Sequence, residues 1–241
     1  MNNKKKAFTF SEVMIGLVII GVVTAMVIPI FYNSHADKVR GTQLKKVCGQ
    51  ISLAISSIMS DERSQDEHDL YYGPDTGETG EREEENGGFY LTSAGTKTSN
   101  DTQGAKYFLD KYFRHLKVNC GPDGTNDCVG ATYKTPKQKD IGSVPNGFYC
   151  IKTTNSAAIC MKFDETDKVS KIIVDVNGAE KPNITGSDLF VMYIENNGNL
   201  KDLDEDESHC NIDRTNEEAG VLDYAAGCFT KAAGNGWVMP K

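Results

Sequence analysis

Positive charge is scarce in this chain. Its 241 residues include 34 Asp and Glu against 26 Lys and Arg, which gives a formal net charge of -8 and a pI near 5.1. Proteins that bind a phosphate backbone cluster Lys and Arg on one surface, whereas the basic cluster here lies at the extreme N-terminus. We therefore expect no nucleic-acid partner.

Catalytic signatures are also missing. The sequence contains no G-x-x-x-x-G-K-[ST] phosphate loop, no H-E-x-x-H and no G-x-S-x-G. The four histidines are scattered along the chain, and a cysteine nucleophile needs a partner base that the sequence does not indicate. These absences predict a protein that is not an enzyme.

The seven cysteines include no C-x-x-C pair, which argues against a zinc site. Six of them follow residue 119, a distribution typical of an exported, oxidised domain. The pairs nearest in sequence are Cys120 with Cys128, Cys150 with Cys160, and Cys210 with Cys228, which leaves Cys48 over. Other connectivities and free buried thiols are the alternatives.

One long apolar run lies near the N-terminus, from Val13 to Phe31. Its 19 residues match a hydrocarbon core of about 30 Å at about 1.5 Å per residue. Short basic flanks stay in the cytoplasm, so Lys4–Lys6 predict that the rest of the chain is exported. A cleaved secretory signal, a plain membrane anchor and a buried core helix are three alternatives.

Glu12 argues against all three alternatives. It lies at the head of the apolar run, where a carboxylate becomes costly as it approaches the bilayer centre. A charge at this place is tolerable when it is paired. The sequence therefore predicts a partner for Glu12.

Residues 7–12, AFTFSE, are preceded by lysines and followed by the apolar run. This pattern resembles the leader of type IV pilins and type II secretion pseudopilins, although most members have Gly where this chain has Ala7. In that family, prepilin peptidase cuts before the Phe and methylates the new amino terminus. The resemblance places the cut between Ala7 and Phe8, and it implies that Glu12 meets the Phe8 amine of a neighbouring subunit during assembly.

An amphipathic pattern continues beyond the apolar run. Apolar residues recur at three- and four-residue steps: Leu44, Val47, Cys48, Ile51, Ile55 and Ile58. The pattern predicts one helix from Phe8 to about Met59, roughly 78 Å long at 1.5 Å per residue. Two helices joined near Asn33-Ser34 are the alternative.

The composition changes after this helix. Residues 61–104 are rich in Asp, Glu, Gly, Ser and Thr, which predicts a long exposed connection. Residues 105–116 place their apolar side chains on one face, which predicts a short helix packed on the core.

Strand patterns dominate the rest of the chain. They occur at 147–152, 157–163, 171–176 and 189–194. The first two flank a turn whose symmetry places Cys150 opposite Cys160. The absence of βαβ alternation predicts an α+β fold in which one long helix lies on a small antiparallel sheet of about four strands.

Residues 174–200 and the closing GNGWVMPK are similar to the sheet region and the C-terminal end of bacterial pilin-like proteins. Pseudopilins of this kind hold calcium in a loop beside the sheet, and Asp175, Asn177 and Asp188 supply hard oxygen ligands. The alternative is that these side chains form turns and cap backbone donors. We expect no other cofactor.

The resemblance implies a pilin-like organisation. Residues 1–7 are the cleaved leader, 8–59 the long helix with a transmembrane segment at about 13–31, and 60–241 the exported globular domain with its sheet at about 147–200. The implied function is a structural subunit of a type IV pilus or a type II secretion pseudopilus that polymerises through its N-terminal helix. A membrane-anchored extracytoplasmic binding module that does not polymerise is the alternative.

The same resemblance implies the partners and the location. The partners are prepilin peptidase, other pilin or pseudopilin subunits, the inner-membrane assembly platform and membrane lipid. The chain would cross the cytoplasmic membrane once, with its globular domain outside the cytoplasm, before it enters a pilus or a periplasmic filament.

Overall fold

The computed structural model describes most of the chain. The described residues are 9–61, 70–74, 87–93, 103–164, 169–194, 198–211 and 219–239. The helices are α1 (Phe10–Asp61), α2 (Gln103–Tyr112), α3 (Val221–Ala225) and α4 (Cys228–Gly234), with a 3-10 turn at Glu207–His209. The strands are β1 (Leu70–Pro74), β2 (Gly87–Ser93), β3 (His115–Val118), β4 (Tyr133–Lys134), β5 (Asp140–Gly142), β6 (Tyr149–Thr153), β7 (Ala158–Asp164), β8 (Val169–Asp175), β9 (Leu189–Ile194) and β10 (Leu200–Asp202).

Helix α1 is continuous over 52 residues, which confirms the prediction of one helix rather than two. Its C-terminal half is amphipathic, as the spacing of its apolar residues predicts. The buried face consists of Leu44, Val47, Cys48, Ile51, Ala54 and Ile55. This half is the part of α1 that packs against the sheet.

The main sheet is antiparallel, with strand order β10-β9-β8-β7-β6-β3. The four predicted strands form its centre, and Cys150 lies opposite Cys160 as expected. The prediction of about four strands was too low, because β3 and β10 extend the sheet at its two edges. The fold is α+β, as predicted.

Both faces of the sheet are covered. Successive residues of a strand point to opposite faces, so the central strands contribute to two separate cores. The side toward α1 and α2 carries Ile151, Ile159, Met161, Ile172, Val174, Phe190 and Met192. The opposite side carries Cys150, Ala158, Cys160, Ile173, Leu189 and Val191.

The second face is covered by a layer with little regular structure. Residues 119–148 contribute most of it and contain the short strand pair β4–β5. Its buried apolar members are Cys120, Cys128, Val129, Tyr133, Ile141, Val144 and Phe148, and α3 adds Val221, Tyr224 and Ala225. We refer to residues 119–148 as the outer layer.

The predicted helix at 105–116 was wrong at its C-terminal end. Helix α2 ends at Tyr112, and Leu116 lies in edge strand β3 with 63% of its surface exposed. Pairing of β3 with β6 overrides the helical spacing of the apolar residues, because the neighbouring strand satisfies the backbone groups of β3.

The prediction of a long connection at 61–104 also needs correction. Strands β1 and β2 pair within it as an antiparallel hairpin. Residues 62–69, 75–86 and 94–102 lie outside the described residues. Thr and aromatic residues in 87–93 favour strand structure despite the acidic surroundings.

Candidate assembly site

The first turn of α1 is a capping box formed by Thr9 and Glu12. The backbone N–H and the hydroxyl of Thr9 each donate to Glu12 Oε2, at 2.8 Å. The backbone N–H of Glu12 in turn approaches Thr9 Oγ1, at 3.3 Å. These contacts satisfy donors at the helix start and hold the carboxylate beside the backbone.

One carboxylate oxygen of Glu12, Oε2, therefore accepts hydrogen bonds from Thr9, and the other, Oε1, can accept a hydrogen bond from a further donor. None of the described residues donates to its Oε1, and the side chain lies on the exposed part of the helix. A carboxylate accepts several hydrogen bonds, so this oxygen is free to receive another donor. Sequence reasoning named Glu12 but missed Thr9, which the T-x-x-E spacing could have revealed. The other predicted processing residues, Ala7 and Phe8, lie outside the described residues.

The apolar half of α1 extends away from the globular part. The 18 residues Phe10–Val27 are long and apolar enough to cross a membrane, and none of this window is buried inside the fold. Large side chains along it are exposed, between 40% of the surface at Val27 and 81% at Phe10. This segment needs an apolar environment outside the chain, such as lipid or the helices of other subunits.

Three disulfides are present, and they join the pairs nearest in sequence. Cys120 is bonded to Cys128, Cys150 to Cys160, and Cys210 to Cys228. The first bond lies within the outer layer, the second joins β6 to β7 in the sheet beneath it, and the third fixes the start of α4. Disulfides of this kind are typical of proteins in oxidising, exported compartments.

Cys48 is the free cysteine among these residues, and it is buried. Its Sγ lies 4.0 Å from the sulfur of Met192, in the core between α1 and the sheet. Burial raises the pKa of the thiol to about 12. Cys48 is therefore a packing residue that is protected from thiol reagents.

The carboxylate of Asp175 is fully buried at the end of β8. It accepts a short hydrogen bond from the hydroxyl of Tyr133 and one of 3.2 Å from the backbone of Asn177. Burial raises the pKa of Asp175 to about 8, and the nearby carboxylate of Asp188 acts in the same direction. Asp175 thereby ties the outer layer to the sheet.

Asp188 and Asn177 are also engaged within the protein. Asp188 Oδ2 accepts from the backbone of Ile184, and Arg40 Nε lies 3.2 Å from its Oδ1. The amide of Asn177 donates to the carbonyl of Glu180 at 2.6 Å, while its buried Oδ1 has no partner among the described residues.

These contacts bear on the predicted calcium site at Asp175, Asn177 and Asp188. Calcium takes six to eight oxygen ligands, yet both carboxylates here are turned toward protein donors. Within the described ranges, no group of three or more His, Cys, Asp or Glu side chains is arranged to hold a metal. The contacts favour the turn-capping alternative, and calcium binding stays a prediction.

Comparisons with known proteins give one result, at the N-terminus. Residues 2–28 match the model of the prokaryotic N-terminal methylation motif. No curated protein and no solved structure matches the chain. The motif covers the lysines, residues 7–12 and most of the apolar run, including the capping box. The chain therefore carries the leader of type IV pilins and pseudopilins, a family of structural proteins.

Proposed function

We propose that this protein is a structural subunit of a type IV pilus or a type II secretion pseudopilus. Prepilin peptidase would cut between Ala7 and Phe8 and methylate the Phe8 amine. The mature chain would then polymerise through α1 with copies of itself or with related subunits. The observation that carries this proposal is the leader followed directly by a single exposed apolar helix.

The continuity of α1 supports a filament subunit over a plain anchor. An anchor needs only the 18 residues that cross the membrane, whereas α1 runs on for another 34 residues to Asp61 and packs its second half on the sheet. A single rod thus joins the apolar segment to the globular part. Such a rod can hold the globular part at a fixed position while its apolar half packs among other subunits.

The geometry of Glu12 supports its proposed role in assembly. Thr9 holds Oε2 at 2.8 Å and leaves Oε1 without a donor among the described residues. The methylated Phe8 amine of an incoming subunit would supply a charged donor to that oxygen. Pairing would lower the cost of a carboxylate in lipid and would favour one register between neighbouring helices.

The location follows from the same features. Lys4–Lys6 would stay in the cytoplasm with the leader, α1 would cross the inner membrane, and the disulfide-bonded part would lie outside. The inner-membrane assembly platform and membrane lipid would be further partners. Extraction of the apolar segment from lipid would accompany its entry into the filament.

The first experiment is mass spectrometry of the mature N-terminus from membranes and from sheared surface fractions. We expect a peptide that starts at N-methylated Phe8. A terminus near Met26 would indicate a cleaved secretory signal, and an uncut Met1 would indicate an anchored module. Either of these two results would overturn the proposal.

Assembly is tested by Glu12→Ala, with Ser11→Ala as the matched control on the same exposed turn. We expect both variants to be processed, because both keep the residues on either side of the cut. Filaments that contain the protein should be lost with Glu12→Ala and retained with Ser11→Ala. Equal assembly of the two variants would show that the chain does not use Glu12 as a filament subunit does.

A further inference from the structure

Asp188 presents an unusual electrostatic problem for the fold. It is fully buried in the loop between β8 and β9, which we call the 176–188 loop. Its Oδ1 receives no hydrogen bond from any described residue. A buried carboxylate is strongly unfavourable unless a cation lies beside it.

The cation that the structure supplies comes from α1. Arg40 Nε lies 3.2 Å from Asp188 Oδ1, and Arg40 Nη1 donates to the hydroxyl of Ser187 at 3.2 Å. The same Nη1 lies 3.6 Å from Asp37, one turn earlier on the helix. A guanidinium offers several donors in a fixed plane, so it can serve two neighbouring loop residues and its own helix together.

The next residue on the helix, Gly41, makes a second close contact. A Cβ atom built on Gly41 would lie 1.6 Å from the backbone oxygen of Trp237 in the C-terminal segment. Only glycine lets the two backbones approach so closely. Gly49 on the same helix has no atom within 4 Å of such a Cβ, so the close approach is specific to Gly41.

Among the α1 side chains that the structure describes, these two residues lie at the start of the contact with the globular part. The large side chains of Phe10–Val27 are exposed, and the continuously buried face begins at Gly41 and Leu44. At Arg40 and Gly41 the helix contacts two separate segments, the 176–188 loop and the C-terminus. Contacts on two sides resist both sliding and rotation of the helix.

We propose that the Arg40 guanidinium is the resident cation of the 176–188 loop, in the role that a metal ion would otherwise fill, and that Arg40 and Gly41 lock the register of α1 on the globular part. The lock is a property of the folded chain and does not depend on the proposed filament. In a filament subunit it would transmit force between the apolar half of α1 and the sheet.

The experiment uses the full-length chain purified in detergent micelles. Arg40→Gln is compared with Lys45→Gln, which removes an exposed charge from the same helix. We expect Arg40→Gln to lower the melting temperature by about 10 °C, because it strands a buried charge. Lys45→Gln should change it by less than about 2 °C. Wild-type protein should melt at the same temperature in millimolar calcium and in EDTA.

Gly41→Ala and Gly49→Ala form a second matched pair. The first must displace the backbone of Trp237 or the helix, so it should lower the melting temperature and speed hydrogen exchange in residues 36–44. The second adds a methyl group in open space and should be neutral or slightly stabilising, since alanine favours helix more than glycine does. Similar behaviour of the two variants would overturn the register lock.

A double variant keeps the cation proposal testable if Arg40→Gln fails to accumulate. Adding Asp188→Asn removes the stranded charge, so the double variant should regain much of the lost yield or melting temperature. No recovery would overturn the pairing of Arg40 with Asp188. Calcium that raises the wild-type melting temperature, together with EDTA that lowers it, would show instead that a metal is the resident cation.

Discussion

A single buried carboxylate, Asp202 at the end of β10, organises the C-terminal helix. Its side chain accepts hydrogen bonds from the backbone N–H groups of Gly227 and Thr230, both at 2.8 Å. Gly227 is the N-cap residue of α4 and Thr230 lies in its first turn, and Asp202 is only 2% exposed. The carboxylate thus caps a helix that its own side chains do not cap.

Replacing this residue tests how much the cap contributes to stability. Asp202→Ala removes the acceptor of both N–H groups. Loss of a cap costs about 0.5 to 2 kcal/mol, and a buried donor left without a partner costs about 1 to 3 kcal/mol. Since water can reach part of the helix end, we expect a total of about 3 kcal/mol. This corresponds to a fall of about 6 to 12 °C in melting temperature for a chain of this size.

Asp202→Asn separates the hydrogen bonds from the charge. Asparagine keeps one acceptor oxygen, and it removes a charge that is unfavourable to bury. Burial raises the pKa of Asp202, so the protonated form is more favourable in the folded state than in the unfolded chain. We therefore expect Asp202→Asn to lose only about 1 kcal/mol. Glu205→Ala, an exposed change in the same segment, should stay within about 0.5 kcal/mol of wild type.

The raised pKa of Asp202 also determines whether its contribution to stability increases or decreases with pH. A carboxyl group whose folded pKa lies above its unfolded value adds stability that is complete below the unfolded pKa. That contribution is lost as the pH rises through the folded pKa. The stability of wild type relative to Asp202→Asn should therefore increase when the pH falls from neutral to about 4.

Denaturation of the full-length chain in detergent, followed by circular dichroism, measures these differences. The reasoning fails if Asp202→Ala is no less stable than Glu205→Ala, because the capping hydrogen bonds would then contribute nothing. It also fails if the asparagine variant is as unstable as the alanine variant, because the charge rather than the acceptor geometry would be the important feature.

Three further predictions concern the thiol, a buried phenol and the first turn of α1. Because Cys48 is buried with a pKa raised to about 12, a maleimide should label one thiol per chain after denaturation without reductant and almost none before it. Burial raises the pKa of Tyr149, which donates to Asp110, to about 12. Stability should therefore fall between about pH 10 and 12, and replacing Tyr149 by Phe should remove this component of the decline. Thr9→Val removes the hydroxyl that holds Glu12, so filament yield should fall relative to Thr9→Ser; equal yields would show that the capping box does not prepare Glu12 for assembly.

The parts of the fold that the sequence predicts are those with a long periodic pattern. Helix α1 repeats its apolar spacing over many turns, and β6 to β9 are apolar runs separated by turn residues. Their signals accumulate over enough residues to identify the element type. Edge strand β3 has four residues, most of them exposed, so its sequence carries no core pattern. Leu116 happens to continue the helical spacing of the apolar residues in α2, which is why the predicted helix extended into the strand.

The sequence could not predict contacts between residues that are far apart in the chain. Arg40 and Asp188 are far apart in the chain, and although the sequence indicated Asp188 as a candidate ligand, nothing in it indicated Arg40 as its partner. Asp202 likewise belongs to an acidic run, residues 202–207, and nothing in the spacing of that run indicates which carboxylate is buried. Whether a charge is buried depends on which segments pack around it, and the tertiary fold decides this. Thr9 differs, because its partner is three residues away and the spacing itself carried the information.

The two faces of the sheet are held by different means, and the reason lies in what covers them. On one face, α1 satisfies its own backbone and packs a continuous apolar stripe, so the main requirement is a fixed register, which the contacts at Arg40 and Gly41 supply. The outer layer has only the short β4–β5 pair, so few backbone ladders hold it. Its Cys120–Cys128 disulfide cross-links the layer internally, and the hydrogen bond from Tyr133 to the buried Asp175 joins it to the sheet. The Cys150–Cys160 disulfide joins β6 to β7 in the sheet beneath. These bonds join residues 8 and 10 apart, and short loops of this kind typically gain about 2 to 3 kcal/mol each from cross-linking. A layer with little regular structure therefore depends on a cross-link within itself and on buried polar contacts with the sheet, and such a cross-link persists in an oxidising compartment.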